Sequence, residues 1–108
     1  WQGFARSRDV ALLAESYELN CAPHNYYSHL ATMHALHLCA TVPNVRIVEI
    51  DIDDVPWKDD LGGGPLNIVD GHLEIPTKPG WGIDFDEDVA RNNVWEKGRG
   101  PGFTTNRR

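Results

Sequence analysis

Two side chains in this sequence could take part in acid–base chemistry, the imidazole of His24 and the carboxyl group of Glu49. His24 follows the run NCAP (20–23), and a helix-like stretch begins near Ser28. The imidazole therefore lies between a predicted strand end and a predicted helix, a position that presents a side chain to a substrate more readily than it buries one. The unperturbed pKa of histidine, about 6.5, suits a group that accepts or donates a proton at neutral pH.

Glu49 interrupts an apolar stretch, VRIVEIDI (45–52), of the kind found in strands that are covered on both faces. Burial in such a strand would raise the pKa of the carboxyl group and favour its protonated form. Both residues also have ordinary structural alternatives. His24 could hydrogen-bond a loop carbonyl, and Glu49 could pair with Arg46 or with a lysine.

The elements that must position these side chains alternate between helix and strand. The first is a helix over 7–17 with Ser7 as N-cap, whose apolar face carries Val10, Leu13, Ala14 and Tyr17. A strand over 19–22, a helix over 28–41 ended by Pro43 and a strand over 45–52 follow. The last two elements are a hairpin over 66–76 with Asp70-Gly71 at its turn and a short helix from 86 to about 93. Alternation of this kind predicts parallel βαβ units. Two strands and two helices cannot cover a parallel sheet, so the pattern also predicts neighbouring strands outside these residues.

The composition excludes several classes of protein. A hydrophobic content of 41% and a charged content of 24% are typical of a globular domain. A formal charge of −6 argues against a nucleic-acid partner. No apolar run approaches the roughly 20 residues that cross a bilayer, which argues against a membrane partner. The two cysteines do not form a CxxC pair, so we expect reduced thiols and a cytoplasmic location.

Four stretches together resemble the C-terminal end of the mandelate racemase/muconate lactonizing enzyme branch of the enolase superfamily. They are APHN (22–25), the helix after it, VPNVRIVEIDIDD (42–54) and DGHLEIPTKPGWGIDFDED (70–88). The resemblance extends over about residues 1–94. It implies an α/β fold, the C-terminal portion of a TIM-like (β/α)-barrel of the modified enolase type, with the last two strands and helices and a return hairpin toward a capping domain outside the chain.

The resemblance also divides the chain. Residues 1–60 would be the last βα units of the barrel, with 19–22 as its seventh strand and 46–50 as its eighth. Residues 61–94 would be a return segment that carries the hairpin and the short helix toward the capping domain, and residues 95–108 a flexible tail. The remaining barrel and the capping domain would be partners of this segment, in a homo-oligomeric enzyme.

The chemistry implied by the resemblance is abstraction of a proton α to a carboxylate, assisted by Mg²⁺. His24 would be the general base, or the acid that protonates a departing hydroxyl, paired with an aspartate outside the chain. Glu49 would be a neutral acid that hydrogen-bonds the developing enediolate. Asn25, Tyr26 and Trp57 could contact the substrate at the rim of the site.

The implied substrate is a small carboxylate, most simply an acid sugar that loses water. Racemisation or epimerisation, and cycloisomerisation, are the alternatives within the superfamily. An interaction module without catalytic activity, which completes its sheet with a partner, is the alternative from another class. A mature mass near 12.1 kDa would favour the module, and a chain several times longer would favour the enzyme.

No metal ligand is assigned within the chain, because the resemblance implies that the carboxylates that bind Mg²⁺ lie on earlier strands of the barrel, outside this chain. His29, His34 and His37 lack partners at a spacing typical of zinc sites and are predicted to pack or to lie on the surface. The run DIDDVPWKDDLG (51–62) fails as a calcium loop, since Pro56 and Gly62 stand where Gly and Glu are required.

Overall fold

The computed structural model describes residues 3–26, 28–52 and 55–94. Its elements are α1 (Gly3–Glu15), α2 (His29–Cys39), α3 (Lys58–Leu61), β1 (Ile68–Val69), β2 (His72–Leu73) and α4 (Glu87–Asn92). Helix therefore makes up more of the described chain than strand does. The prediction of a flexible tail over residues 95–108 lies outside the described residues.

Helix α1 begins four residues earlier than its sequence pattern predicts. Ser7 lies inside the helix, where its hydroxyl donates to the Gly3 carbonyl at 3.0 Å, so its assignment as N-cap is wrong. Ala11 is buried, but Val10 and Leu13 remain 61% and 62% exposed. The predicted apolar face thus lacks a covering layer among the residues that the structure describes.

Helix α2 forms where the sequence predicts it, with Ser28 as N-cap. It buries Met33 and Leu36, which join Ala11 in the small apolar core. Asn44 ties α1 to the chain after α2, because its side-chain amide donates to the carbonyls of Ala11 and Leu19 at 2.9 Å each. The core therefore lies between the first two helices and the segment that follows α2.

The two predicted parallel strands lie side by side in the predicted orientation but do not form regular strands. Their pairing is one parallel bridge between Cys21 and Val45, in which Cys21 N–H donates to the Asn44 carbonyl at 2.8 Å. Ile47 and Ile52 are 68% and 90% exposed, so burial of 45–52 on both faces is not observed. Parallel pairing is less stable per residue than antiparallel pairing and occurs almost only in sheets whose two faces are covered, and the described residues do not provide that cover.

The hairpin and the last helix agree closely with the sequence prediction. β1 and β2 pair antiparallel, with Val69 opposite His72. Asp70 and Gly71 form the turn at φ values of +48° and +75°, as a two-residue turn that matches strand twist requires. Helix α4 is capped by Asp86, whose carboxylate accepts from the main-chain N–H groups of the second and third residues after it at 2.8 and 3.0 Å.

Trp81 packs the chain after α3 against the first two helices. Its ring centroid lies 4.1 Å from that of His34 on α2 and 5.6 Å from that of Phe4 on α1. His37 also contacts this residue, because its Nε2–H donates a hydrogen bond to the Trp81 carbonyl at 3.3 Å. The adjacent Gly82 has φ of +80° and lies against Pro76, so the chain folds back on itself at this point.

Candidate active site

The structure brings His24 and Glu49 into direct contact. The imidazole Nδ1 and the carboxylate Oε2 are hydrogen-bonded, across 25 positions of sequence. The side chains are 64% and 44% exposed, so the pair faces solvent. Glu49 does not pair with Arg46, which was one of its structural alternatives. Arg46 Nε instead donates to the side-chain carbonyl of Asn20 at 3.3 Å.

The parallel bridge explains why these two residues meet. Cys21 and Val45 are paired, and each candidate residue follows a few positions later, at the carboxyl end of its extended segment. The Glu49 N–H donates to the Pro23 carbonyl at 3.4 Å, which carries the parallel pairing up to the site. Side chains at the carboxyl ends of parallel neighbours share one edge of a sheet, so the pair follows from the topology.

The carboxylate of Glu49 accepts a second hydrogen bond from the main-chain N–H of Asn25, at 2.9 Å to Oε2. This N–H, followed by the hydrogen bond from His24, lowers the pKa of Glu49 despite an opposing contribution from desolvation. The predicted rise in its pKa is therefore wrong for this chain, because the side chain is half exposed and its donors stabilise the charged form. Glu49 is an acceptor here, and His24 donates its Nδ1–H to it.

We predict that Glu49 titrates below its ordinary range and continues to do so after His24→Ala. The ionised carboxylate contributes stability above its ordinary pKa, and this contribution is lost as the pH falls through the lowered pKa of the folded chain. Because the Asn25 N–H is the larger cause, removal of the imidazole should raise the midpoint only in part. A ¹³C NMR titration of the Glu49 carboxyl carbon measures this. A midpoint that returned fully to that of an unperturbed glutamate would contradict it.

The side chain of Asn25 is 2% exposed and lies beneath the pair instead of at the rim. Its amide Nδ2 donates to Thr32 Oγ1 at 2.9 Å and to the Glu49 main-chain carbonyl at 3.0 Å. This burial does not match the predicted position of Asn25 at the rim of the site, and its contact with substrate stays untested. Tyr26 is 40% exposed, and half-buried Trp57 is the N-cap of α3. Their substrate contacts stay a prediction.

The three α2 histidines have separate environments. His29 is buried and hydrogen-bonded through Nε2 to Asp59 Oδ1 at 2.6 Å. His34 packs on Trp81, and burial followed by the nearby His37 lowers its pKa. The described residues contain no group of three acidic, histidine or cysteine side chains that could hold a metal ion.

Sequence reasoning missed two contacts that shape the site, Asn25 with Thr32 and His29 with Asp59. Neither contact leaves a periodic signal, because each joins residues of different elements. Asn25 does stand between a strand end and a helix start, where an amide can bridge both, but that position alone does not show which partners it takes.

These features define the class of protein. Two parallel extended segments, with a helix after the first, present an acid–base pair at their carboxyl ends, as at the active-site face of an α/β barrel. The chain matches the Enolase C-terminal domain-like family over residues 1–89 and belongs to it. In the part of the chain that the structure describes, no helix combines the length and apolar character needed to cross a bilayer.

Individual relatives differ in the activities that their names give. The chain is 34% identical over 94 residues to a D-xylonate dehydratase of Haloferax volcanii, with 87% of this chain and 23% of that protein covered. It is 33% identical over 88 residues to a D-gluconate dehydratase of Thermoproteus tenax, at 81% and 18% coverage. The crystal structure of a candidate L-alanine-DL-glutamate epimerase of Burkholderia xenovorans, bound to magnesium and fumarate, superposes with a TM-score of 0.79 at 41% identity, covering 85% of this chain and 23% of that one. The chain thus spans about a quarter of such relatives or less.

Proposed function

We propose that this chain is the last part of the barrel of an enolase-superfamily enzyme that removes water from an acid sugar. The observation that carries the proposal is the hydrogen bond between His24 and Glu49 at the carboxyl ends of parallel neighbours. The names of the Haloferax and Thermoproteus relatives, both dehydratases of sugar acids, support the substrate class. In this proposal residues 1–60 belong to the barrel, and residues 61–94 return toward a capping domain.

The pair determines which nitrogen of His24 is basic. A Nδ1–H donated to the Glu49 carboxylate leaves Nε2 as the basic nitrogen of the neutral imidazole. Nε2 would then take the proton from the carbon α to the substrate carboxylate, and the electrons of that C–H bond would form the enediolate. Glu49 would stabilise the imidazolium and keep the ring in place, a role that requires the ionised carboxylate found here.

The second half of the reaction returns the proton. The imidazolium would protonate the hydroxyl on the β carbon as its C–O bond breaks, so that water leaves and a carbon–carbon double bond forms. The resulting enol then becomes the 2-keto-3-deoxy acid. One imidazole can serve as base and then as acid because the proton that it takes in the first step is the proton that it gives back in the second.

Magnesium belongs to the proposal for the whole enzyme. The Burkholderia relative was solved with magnesium bound, which supports Mg²⁺ as a cofactor. Since the described residues of this chain do not form a metal site, its ligands would come from the remaining part of the barrel. The steps above use only the residues of this segment.

Proton transfer without loss of water is the second candidate, favoured by the epimerase description of the Burkholderia structure. A histidine that removes an α proton can also support epimerisation when another group returns the proton from the opposite face. The His24–Glu49 pair is compatible with both reactions, so the products must distinguish them.

Incubation of the intact protein with Mg²⁺ and a panel of sugar acids and dipeptides in D₂O tests the proposal. We expect a 2-keto-3-deoxy acid from at least one sugar acid, detected by mass spectrometry and by its carbonyl chemistry. Deuterium at the α carbon of a dipeptide together with inversion of its configuration, without water loss from any sugar acid, would establish epimerisation in its place. Absence of both products would favour the interaction module.

A further inference from the structure

We propose that Asn25 is a positioning residue, whose buried amide and main-chain N–H together fix His24 and Glu49 in the geometry needed for proton transfer. This inference rests on the proposed function of that pair. In this inference Asn25 and Thr32 affect the reaction by holding His24 and Glu49 in place, and they do not contact the substrate themselves.

Asn25 contacts Glu49 at both ends of that residue. Its N–H donates to the side-chain Oε2 at 2.9 Å, and its Nδ2 donates to the main-chain carbonyl at 3.0 Å. Two hydrogen bonds from one residue to the side chain and backbone of another restrict both the rotamer and the position of the second. Because His24 directly precedes Asn25, the same contacts also set the distance between the two functional side chains.

Thr32 connects this arrangement to the start of α2. Its Oγ1 accepts the Nδ2 of Asn25 at 2.9 Å, and both side chains are only 2% exposed. A buried amide that lost its acceptors would leave polar atoms without compensation, so these bonds strongly favour a single arrangement. The helix therefore serves as the rigid element to which the two segment ends are attached.

The pair itself cannot supply this rigidity. His24 and Glu49 are 64% and 44% exposed, and solvent-exposed ion pairs contribute little to holding two side chains in one geometry. The buried contacts beneath them are therefore what fixes the alignment. A displacement of about 1 Å at a reacting group can lower a rate by about 100-fold.

Three variants of the intact protein test the inference. Asn25→Asp keeps the shape but replaces the donating amide with a carboxylate next to the Glu49 carbonyl. Thr32→Val keeps the shape and removes only the acceptor. Asn44→Asp is the matched control, since Asn44 is also a buried asparagine whose amide donates to two main-chain carbonyls, but those belong to Ala11 and Leu19.

We expect Asn25→Asp to lower kcat by about 10- to 100-fold with KM changed less than about threefold, and Thr32→Val to lower it by about three- to tenfold. Asn44→Asp should lose thermal stability but keep kcat within about twofold in its folded fraction. If Asn25→Asp does not fold, Thr32→Val decides the matter. Unchanged kcat in Thr32→Val, or an equal loss in Asn44→Asp, would overturn the inference.

A spectroscopic readout separates this inference from the proposed function. The Nδ1 proton of His24 should give a downfield ¹H NMR signal that Asn25→Asp and Thr32→Val broaden or shift and Asn44→Asp does not. If the wild-type protein turns over no sugar acid but this pattern holds, the proposed function fails and the positioning role stands. If the wild type is active and the signal is identical in all variants, the positioning role fails alone.

Discussion

His24→Asn should lower the kcat of the intact protein by on the order of 10³-fold, because the variant lacks the group that takes and returns the proton in the proposed function. The fold should survive, since the imidazole is 64% exposed. We therefore expect the melting temperature to stay within about 2 °C of the wild type. Steady-state kinetics with the best sugar acid of the panel, together with a thermal melt of the same preparation, measure both quantities.

His72→Asn is the matched control for this experiment. His72 is an exposed histidine on β2, and its Nδ1–H donates to the Asp70 carbonyl at 2.8 Å, away from the pair. The same substitution at this position should leave kcat within about twofold. Normal turnover in His24→Asn, or an equal loss in His72→Asn, would refute the role of His24.

Gly82→Ala should destabilise the folded protein far more than Gly80→Ala, although both glycines have positive φ values, +80° and +68°. Alanine in that backbone region costs about 1–2 kcal/mol at either site. At Gly82, however, a Cβ atom would overlap Pro76 Cβ, and no rotamer change relieves this overlap. At Gly80 it would meet no described atom within 4 Å. Urea unfolding of the two variants should differ by about 1–3 kcal/mol.

A double substitution shows whether the contact with Pro76 causes the difference. Pro76→Gly removes the two side-chain atoms that a new Cβ at position 82 would overlap, and the Cα that remains would lie at an ordinary contact distance of 3.6 Å. In that background we expect Gly82→Ala to lower the free energy of unfolding no more than Gly80→Ala does, since both substitutions then carry only the strain of a positive φ. Equal free energies of unfolding for the two single variants would show that the chain relaxes freely at this turn.

The elements that the sequence predicted best are those whose determinants are local. Asp70 and Gly71 specify the hairpin turn by their tolerance of positive φ, and Asp86 specifies the start of α4 by capping it. The strands at 19–22 and 45–52 were predicted less well. Their pairing depends on neighbours beyond the described residues, so the structure retains the parallel register of Cys21 and Val45 without a ladder.

At the site, the proximity of His24 and Glu49 could be predicted from the sequence, because parallel neighbours bring their carboxyl ends together. The charge state of Glu49 could not be predicted. The pattern around it suggested burial, which favours the neutral acid, but its carboxylate accepts hydrogen bonds from the His24 imidazole and from the main-chain N–H of Asn25, both on another segment. Hydropathy cannot show a donor that is brought close by tertiary structure.

The N–H of Asn25 has a further consequence for how this site can change in evolution. A main-chain donor is present whatever amino acid the codon specifies, proline excepted. The negative charge opposite His24 is thus protected against most substitutions at position 25, provided that the backbone stays in place. The alignment of the pair depends in addition on the amide side chain. In the proposed function, neutral substitutions at this position would impair the alignment of the pair while the main-chain N–H continues to stabilise the charge of Glu49, so alignment and charge could change independently in evolution.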